Sequence, residues 1–579
     1  MLNVAKRLQS TTIHGRCFMM SADHKSYQEA VLALNSLQSN AADIEKARQH
    51  PVTDKRAALA DFERYMNRTG LTVSDLKRLS IIHVSGTKGK GSTCAMVESI
   101  LCKHGVKTGF FSSPHLVEVR ERIRLNGQPL SYRQFSDYFW LCYNRLQESK
   151  SEMDSSIPPY FRFLNLMSFH VFLQEKVDVA IMEVGIGGRF DTTNVVPPPV
   201  VCGISSLGYD HVALLGKTLK EIAWHKAGIM KTGTVAFTSP QADEGMASLV
   251  TEAKAVEVPL HVCPPMADYP PPLPDVGLAG EHQQNNASLA LQLCKTWLQR
   301  TGREALLEPD GASSSPEGRV QTASVGQPTE SVSIDVSGDA SYAAERLTVP
   351  VAQSFAITPS MRQGLASVRW PGRCDVVKLP KVTIYLDGAH TVRSALACSQ
   401  WFKRAAAEEM TEKGGSVCRV MLFNATGGRD PKSLLAPLRD AGIQAAAFCP
   451  NLTVTGPSTP IDMTNRMVTS DGVMALCRKN QSAWNTLHEQ ATPAPPEDST
   501  DPGCRPVTAV LPCVQDALFW LCRHQNDAFQ LTGPQPDTRL PAALQSADHV
   551  QVLVVGSLHL VGTALAVLRD CCNIDPSER

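Results

Sequence analysis

Ile81-Ile-His-Val-Ser-Gly-Thr-Lys-Gly-Lys-Gly-Ser92 is the stretch from which the rest of the chain is read. The mostly apolar Ile81–Ser85 predicts a short buried strand. The glycines from Gly86 to Gly91 predict a tight turn, and Ser92 to about His104 predicts a helix that Gly105 ends. A strand feeding a glycine-rich turn that opens a helix points backbone N–H groups and the positive helix end at an anion. Lys90 is placed to reach the outer phosphates of a nucleotide, and Ser92 or Thr93 can offer a hydroxyl to phosphate or metal. The generic pattern G-x-x-x-x-G-K-[ST] is not met, because Val84 stands five positions before Gly89 and Gly91 follows Lys90.

Outward from this loop, strand and helix alternate. Phe163–Lys176 predicts an apolar helix, and Val177–Glu183 and Val200–Ser206 predict buried strands. Thr218-Leu-Lys-Glu221 has capping-box spacing before a helix to about Ala227, and Asn286–Arg300 predicts another helix. Residues 25–79 read as helical. The alternation predicts an α/β fold with a parallel sheet covered on both faces. Residues 303–350, rich in Ser, Pro, Gly and Glu, read as an insertion or linker, and 490–506 as a second loop. A second α/β series follows, with strands expected at Val382–Leu386, Val420–Phe423, Ala445–Phe448 and Val552–Val555. The expected division is 1–20, 21–302, 303–350 and 351–579, with the domain boundary near 350.

The chain has 579 residues, beyond the size at which one core stops growing, so two or more domains are expected. Its 56 Lys+Arg balance 56 Asp+Glu, which gives no electrostatic case for a nucleic-acid partner. The 17 cysteines contain no Cys-x-x-Cys pair, so a zinc ribbon is not indicated, and many sit in apolar runs as buried thiols would. The most apolar long stretch, Val550–Leu568, is interrupted by Gln551, Gly556, Ser557, His559 and Gly562. It reads as strand, turn and helix, and no membrane span is expected. Residues 1–20 carry Lys6, Arg7 and Arg16, several hydroxyls and no acid, the composition of a mitochondrial transit segment. Met19 and Met20 offer a second start, so mitochondrial and cytoplasmic products are expected.

Gly86-Thr-Lys-Gly-Lys-Gly-Ser92 resembles the loop of folylpolyglutamate synthases, relatives of the Mur ligases. Further segments resemble that family in order: Phe110-Phe-Ser-Ser-Pro-His-Leu116, Met182-Glu-Val-Gly-Ile-Gly-Gly188, Leu207-Gly-Tyr-Asp-His211, Lys226-Ala-Gly-Ile229, Trp370-Pro-Gly-Arg373, Leu386-Asp-Gly-Ala-His390, Phe423-Asn-Ala-Thr426 and Gly556-Ser-Leu-His-Leu560. Lys88 stands where bacterial members usually have Asn, wording that resembles the eukaryotic branch. The resemblance implies a phosphate-loop ATPase-type domain, a Rossmann-like C-terminal domain and an active site in the cleft between them. It also implies ATP, reduced folates and L-glutamate as small-molecule substrates, two Mg2+ ions, K+ as a further ion, and a monomer.

The chemistry sets what such a site must contain. A carboxylate is a poor electrophile, so the γ-phosphoryl of ATP must first convert it to an acyl phosphate, which an amine then attacks. The enzyme must position ATP, offset phosphate charge and exclude water. By resemblance, Gly86, Thr87, Lys88, Gly89, Lys90, Gly91 and Ser92 cradle the nucleotide, with Asn286, Arg373 and Asp387 contacting it from elsewhere. Ser113, Glu183, His211 and Lys226 are the implied metal ligands, Lys226 as a carbamate, and Lys90, Lys226 and His390 the implied catalytic groups. Glu183 also reads independently as a metal-facing acid at the end of a buried strand, a hard oxygen that suits magnesium. Taken alone, Ser113-Pro114 is also a turn, His211 a structural histidine, Lys226 a helix-terminal lysine, and Asn286 and Asp387 turn residues. The aromatic run Pro158-Pro-Tyr-Phe-Arg-Phe163 is either core or a face for a flat ring. Arg120, Arg122 and Arg124 read as alternating along a strand into an Asn126-Gly127 turn, to meet substrate carboxylates or to form a solvated face.

The leading expectation is a ligase adding L-glutamate to the γ-carboxylate of a reduced folate. Dihydrofolate synthase uses the same chemistry on dihydropteroate. A nucleotide-gated binding protein would need the loop but not Lys226, His211, Asp387 and His390.

Overall fold

The computed structural model describes residues 22–38, 57–151, 154–308, 331–335, 346–425, 429–455, 462, 470–489, 506–522, 529, 531 and 542–574. The expected transit segment and both start methionines lie outside the described residues, as do most of the 490–506 loop and Thr426.

Two parallel-rich sheets organise the chain. The first takes β1 (Ile81–Ser85), β2 (Thr108–Phe111), β3 (Ile123–Leu125), β4 (Gln128–Pro129), β5 (Val179–Glu183), β6 (Val201–Ile204), β7 (Ala236–Thr238) and β8 (Leu260–Val262) in the order β4-β3-β2-β5-β1-β6-β7-β8. β1 lies between β5 and β6 and is parallel to both. All five of its residues are buried, as expected of a strand covered on both faces. The helix Lys90–Lys103 leaves β1 for β2, which lies beyond β5, so the glycine loop sits where the strand order switches. That position is the ligand crevice of open α/β sheets. Register sets the site further, since Val84 stands opposite Glu183 and Ser85 opposite Ile204.

In chain order between the two sheets, β9 (Ser331–Asp335) and β10 (Arg346–Pro350) form a separate antiparallel pair. Within the stretch read as an insertion or linker, Leu347, Thr348 and Val349 pair with Ile334, Ser333 and Val332.

The second sheet contains β11 (Asp375–Lys378), β12 (Val382–Asp387), β13 (Val417–Phe423), β14 (Ala445–Phe448), β15 (Val507–Val510) and β16 (His549–Val555), in the order β11-β12-β16-β13-β14-β15. Only β11 runs antiparallel. The Val550–Leu568 stretch folds as read: β16, a turn at Gly556, then the helix Leu558–Cys572. Among the described residues no helix is long and apolar enough to cross a membrane.

The packing does not divide at 350. Met361, Leu365 and Val368 share a core with Ile100, Leu101 and Trp297 of the first domain. Ser99 Oγ donates to Gly364 O at 2.7 Å, and a Cβ on Gly364 would stand 2.6 Å from Ile100 Cα. The helix Pro359–Ser367 therefore belongs to the first domain, and the crossing to the second sheet comes at Trp370–Arg373. The two sheets turn the carboxyl ends of β1, β5 and β6 toward that of β12, as the contacts below establish.

Candidate active site

The loop is held before any ligand arrives. Thr87 N and Lys88 N both donate to Ser206 O, at 2.9 and 3.1 Å, and Thr87 Oγ1 donates to Gly208 O at 3.0 Å. The segment after β6 thus pins the turn after β1. Gly89 caps the helix Lys90–Lys103 with φ of 89°, a left-handed conformation that glycine adopts without steric cost. A Cβ there would stand 2.3 Å from Asn286 Oδ1. Asn286, buried on the helix His282–Arg300, is thereby set against the loop, and its amide donates to Gln283 Oε1 at 2.8 Å. Lys90 Nζ donates to Gly86 O at 3.1 Å. Ser92 and Thr93 are buried in the first turn of the helix, and Thr93 Oγ1 is without a hydrogen-bond partner.

Glu183 ends β5 beside this turn. Its Oε2 accepts from Ser113 N at 3.1 Å, and both its oxygens lie 3.6 Å from where a Gly91 Cβ would stand. Burial raises its pKa, and the positive charge of Lys90 opposes that rise. Ser113 thus meets Glu183 through its backbone N–H, near the helix start.

Lys226 lies in the last turn of the helix Leu219–Ala227, which carries the predicted Thr218–Glu221 capping box. Its Nζ is buried and donates to Gly86 O at 2.7 Å. Burial, then the neighbouring Lys90, holds its pKa well below the ordinary lysine value. His211 has φ of 52°, and burial of its imidazole lowers its pKa, with Asp210 opposing and Lys90 and Lys226 adding to the fall. Glu183 with Ser113 thus flanks one side of the loop, and Lys226 with His211 forms a second group. Among the described residues no cluster of three or more His, Cys, Asp or Glu is built to hold a metal unaided.

The second domain contributes at the end of β12. His390 Nδ1 lies 2.7 Å from Gly388 O, and its Nε2 lies 2.6 Å from Lys88 Nζ and 3.4 Å from Asp210 Oδ2. Lys88 Nζ also pairs with Asp210 Oδ2 at 2.9 Å, and Arg429 approaches Asp210 Oδ1 at 3.7 Å. Burial lowers the Lys88 pKa to about 8, with Asp210 resisting. Burial alone would raise Asp210, but His390 and Lys88 hold it well below the usual carboxylate range. Asp387 accepts from Cys374 N at 2.9 Å, and so fixes the start of β11 next to Arg373. Lys88, Glu183 and His282 all feel the Arg373 charge.

Two sequence readings change. Arg120 and Arg122 do not alternate along a strand. They sit in a 3-10 turn, Val119–Arg122, closed by a Glu118–Glu121 capping box, and β3 begins only at Ile123. Two of the three arginines are paired within the protein, Arg120 with Glu118 at 2.6 Å and Arg124 with Glu98 at 2.9 Å. The aromatic run takes the core alternative, with Phe163 buried and Tyr160 and Phe161 packed against the same cluster, Phe161 lying 2.5 Å from where a Gly185 Cβ would stand. Asp210 was given no role by sequence, although it is the residue on which Lys88, His390 and Arg429 converge. Its one sequence signal is its place after β6, at the carboxyl edge of the sheet.

The first domain presents a loop with the form of a phosphate cradle, and the end of β12 in the second domain meets it through His390. No protein-family model matches the chain. The chain is 45% identical over 571 residues to human mitochondrial folylpolyglutamate synthase, across 94% of this chain and 92% of that one. It is 36% identical over 542 residues to a putative folylpolyglutamate synthase of Caenorhabditis elegans, across 93% and 92%. Among solved structures it resembles Mycobacterium tuberculosis folylpolyglutamate synthase complexed with ADP, with a TM-score of 0.61 and 20% identity over 96% of this chain and all of that one. The E. coli FolC complex with DHPP and ADP superimposes with a TM-score of 0.55 at 21% identity, over 92% of this chain and 99% of that one.

Proposed function

The chain belongs to the folylpolyglutamate synthase family, and from that premise we propose that its cleft joins L-glutamate to the γ-carboxylate of tetrahydrofolate and its polyglutamates through an acyl phosphate. It is an ATP-dependent carboxylate–amine ligase. The observation that carries the reading at the site is the 2.6 Å contact of Lys88 with His390, which brings the phosphate loop of one domain onto the strand end of the other.

The loop amides and Lys90 bind the phosphates, and Lys90 stands beside the charge that grows on the transferred phosphoryl group. Asn286, Arg373 and Asp387 reach the nucleotide from the flank, and the second domain completes the water-excluding enclosure. His390 lies near the reacting groups.

The residues fit magnesium. Glu183 offers a hard carboxylate at the helix start, with Ser113 held next to it by its backbone N–H, and magnesium takes much of the rest of its shell from phosphates and water. His211 and Lys226 would serve a second ion, with K+ a further one. When bound, the ions offset the charge of the transferring phosphoryl group. As an ammonium Lys226 is no ligand, but burial favours its neutral amine, the form that takes up carbon dioxide to give a carbamate.

The enzyme acts as a monomer in mitochondria and cytosol, from starts at Met1 and at Met19 or Met20. The polyglutamate chains it makes retain folates for one-carbon metabolism. The acyl-phosphate step is tested by placing a heavy-oxygen label in the acceptor's γ-carboxylate. One labelled oxygen is expected in the released phosphate, and unlabelled phosphate would overturn that route.

A further inference from the structure

The Lys88 ammonium is placed as a bound substrate amine would be. His390 Nδ1 lies 2.7 Å from Gly388 O, and a carbonyl can only accept. Nδ1 therefore carries the proton, and in the neutral ring Nε2 is an acceptor. Nε2 faces Lys88 Nζ at 2.6 Å, so the lysine donates to it. The same ammonium donates to Asp210 Oδ2 at 2.9 Å. One primary ammonium is thus held by one neutral and one anionic acceptor, drawn from opposite domains. The side chains of Lys88, Asp210 and His390 are 33%, 12% and 21% exposed, so the place is screened yet reachable. It adjoins the phosphate loop, since Lys88 is itself a loop residue, and its charge is felt by Lys226.

We propose that Asp210 Oδ2 and His390 Nε2 form the subsite for the α-ammonium of the incoming amino acid, and that the Lys88 side chain is a resident stand-in that must leave before that substrate binds. The inference rests on the ligase reading and adds the identity of the amine subsite and a gate on it. Nucleotide phosphates in the loop give Lys88 another partner of opposite charge. Filling the loop then frees the subsite, and amino-acid binding depends on nucleotide through one side chain. Arg429 approaches Asp210 Oδ1 at 3.7 Å and His211 N donates to the same oxygen at 3.0 Å, while Lys88 takes Oδ2.

The test is titration of L-glutamate into the full chain, without nucleotide and with a non-hydrolysable ATP analogue, for wild type, Lys88→Met and Lys88→Met/Asp210→Asn. Lys88→Gln serves if the Met variant does not fold. The expected result is that Lys88→Met binds glutamate about tenfold more tightly than wild type without nucleotide, about 1.4 kcal/mol. That gap should close with the analogue, and the added Asp210→Asn should remove the gain. Unchanged or weaker binding by Lys88→Met would overturn the inference. Wild type that incorporates glutamate alongside that result leaves the ligase reading standing, and wild type that incorporates none overturns both.

Discussion

Lys226 and Lys90 meet on a single acceptor, the carbonyl oxygen of Gly86, at 2.7 and 3.1 Å. Two ammonium groups on one carbonyl repel, and Lys226 is the more deeply enclosed. Its neutral form is therefore favoured, which is the chemical requirement for carbamate formation. Intact-protein and peptide mass spectrometry should find the carbamate mass on Lys226, lost in carbon-dioxide-free buffer together with activity. Activity that persists with an unmodified Lys226 would contradict this.

The same depressed pKa bears on stability. Between the folded pKa of unmodified Lys226 and the ordinary lysine value the unfolded chain binds the extra proton, so stability rises with pH. At neutral pH the buried amine is a cost. Lys226→Met in carbon-dioxide-free buffer should raise Tm by about 2 °C or more while abolishing activity, with a smaller gain at higher pH. Calorimetry across pH checks both.

Gly89→Ala should weaken nucleotide binding, because the residue has φ of 89° and a Cβ would stand 2.3 Å from Asn286 Oδ1. The loop must shift or Asn286 must move, and each disturbs the phosphate cradle. An increase in the KM for ATP of about a hundredfold, some 2.7 kcal/mol, is expected. Gly105→Ala is the control, since it also has positive φ but nothing lies within 4 Å, and it should cost about 1 kcal/mol of stability with KM unchanged.

His83, buried in β1, sets an acid limit. Thr193 Oγ1 gives its proton to Asp191 Oδ1 at 2.7 Å, so His83 Nε2 donates to Thr193 at 3.0 Å and Nδ1 is left without a partner. Burial lowers the His83 pKa to about 3. The unfolded chain therefore takes up a proton first as pH falls, and stability is lost from about pH 6.5 down to about 3 at roughly 1.4 kcal/mol per pH unit. His83→Gln should flatten that limb in denaturant titrations at pH 6 and pH 5.

Glu183→Gln should keep the fold and nucleotide binding but lower kcat at least a hundredfold, with the magnesium concentration for half activity displaced upward. Burial already disfavours its charge, so the amide costs little in stability.

Much of the first domain was legible because its signals are local. Ile81–Ser85 is an apolar run before glycines, and Glu183 closes another, so both strands and the loop could be read without their partners. The remainder depended on contacts distant in sequence. The helix Pro359–Ser367 joins the first domain because Gly364 admits the backbone of Ile100, which no local pattern announces. β11 is a half-exposed antiparallel edge without a clear period. The arginine row was misread although Glu118 and Glu121 already had capping-box spacing, which winds that segment into a turn. Asp210 gains its role only from Lys88 and from His390 in the other domain.

The central claim is tested most directly by incorporation of labelled L-glutamate into tetrahydrofolate with magnesium-ATP, measured beside Lys90→Ala. The account predicts folate-dependent incorporation that the substitution abolishes. ATP hydrolysis independent of folate, with no glutamate incorporated, would contradict it.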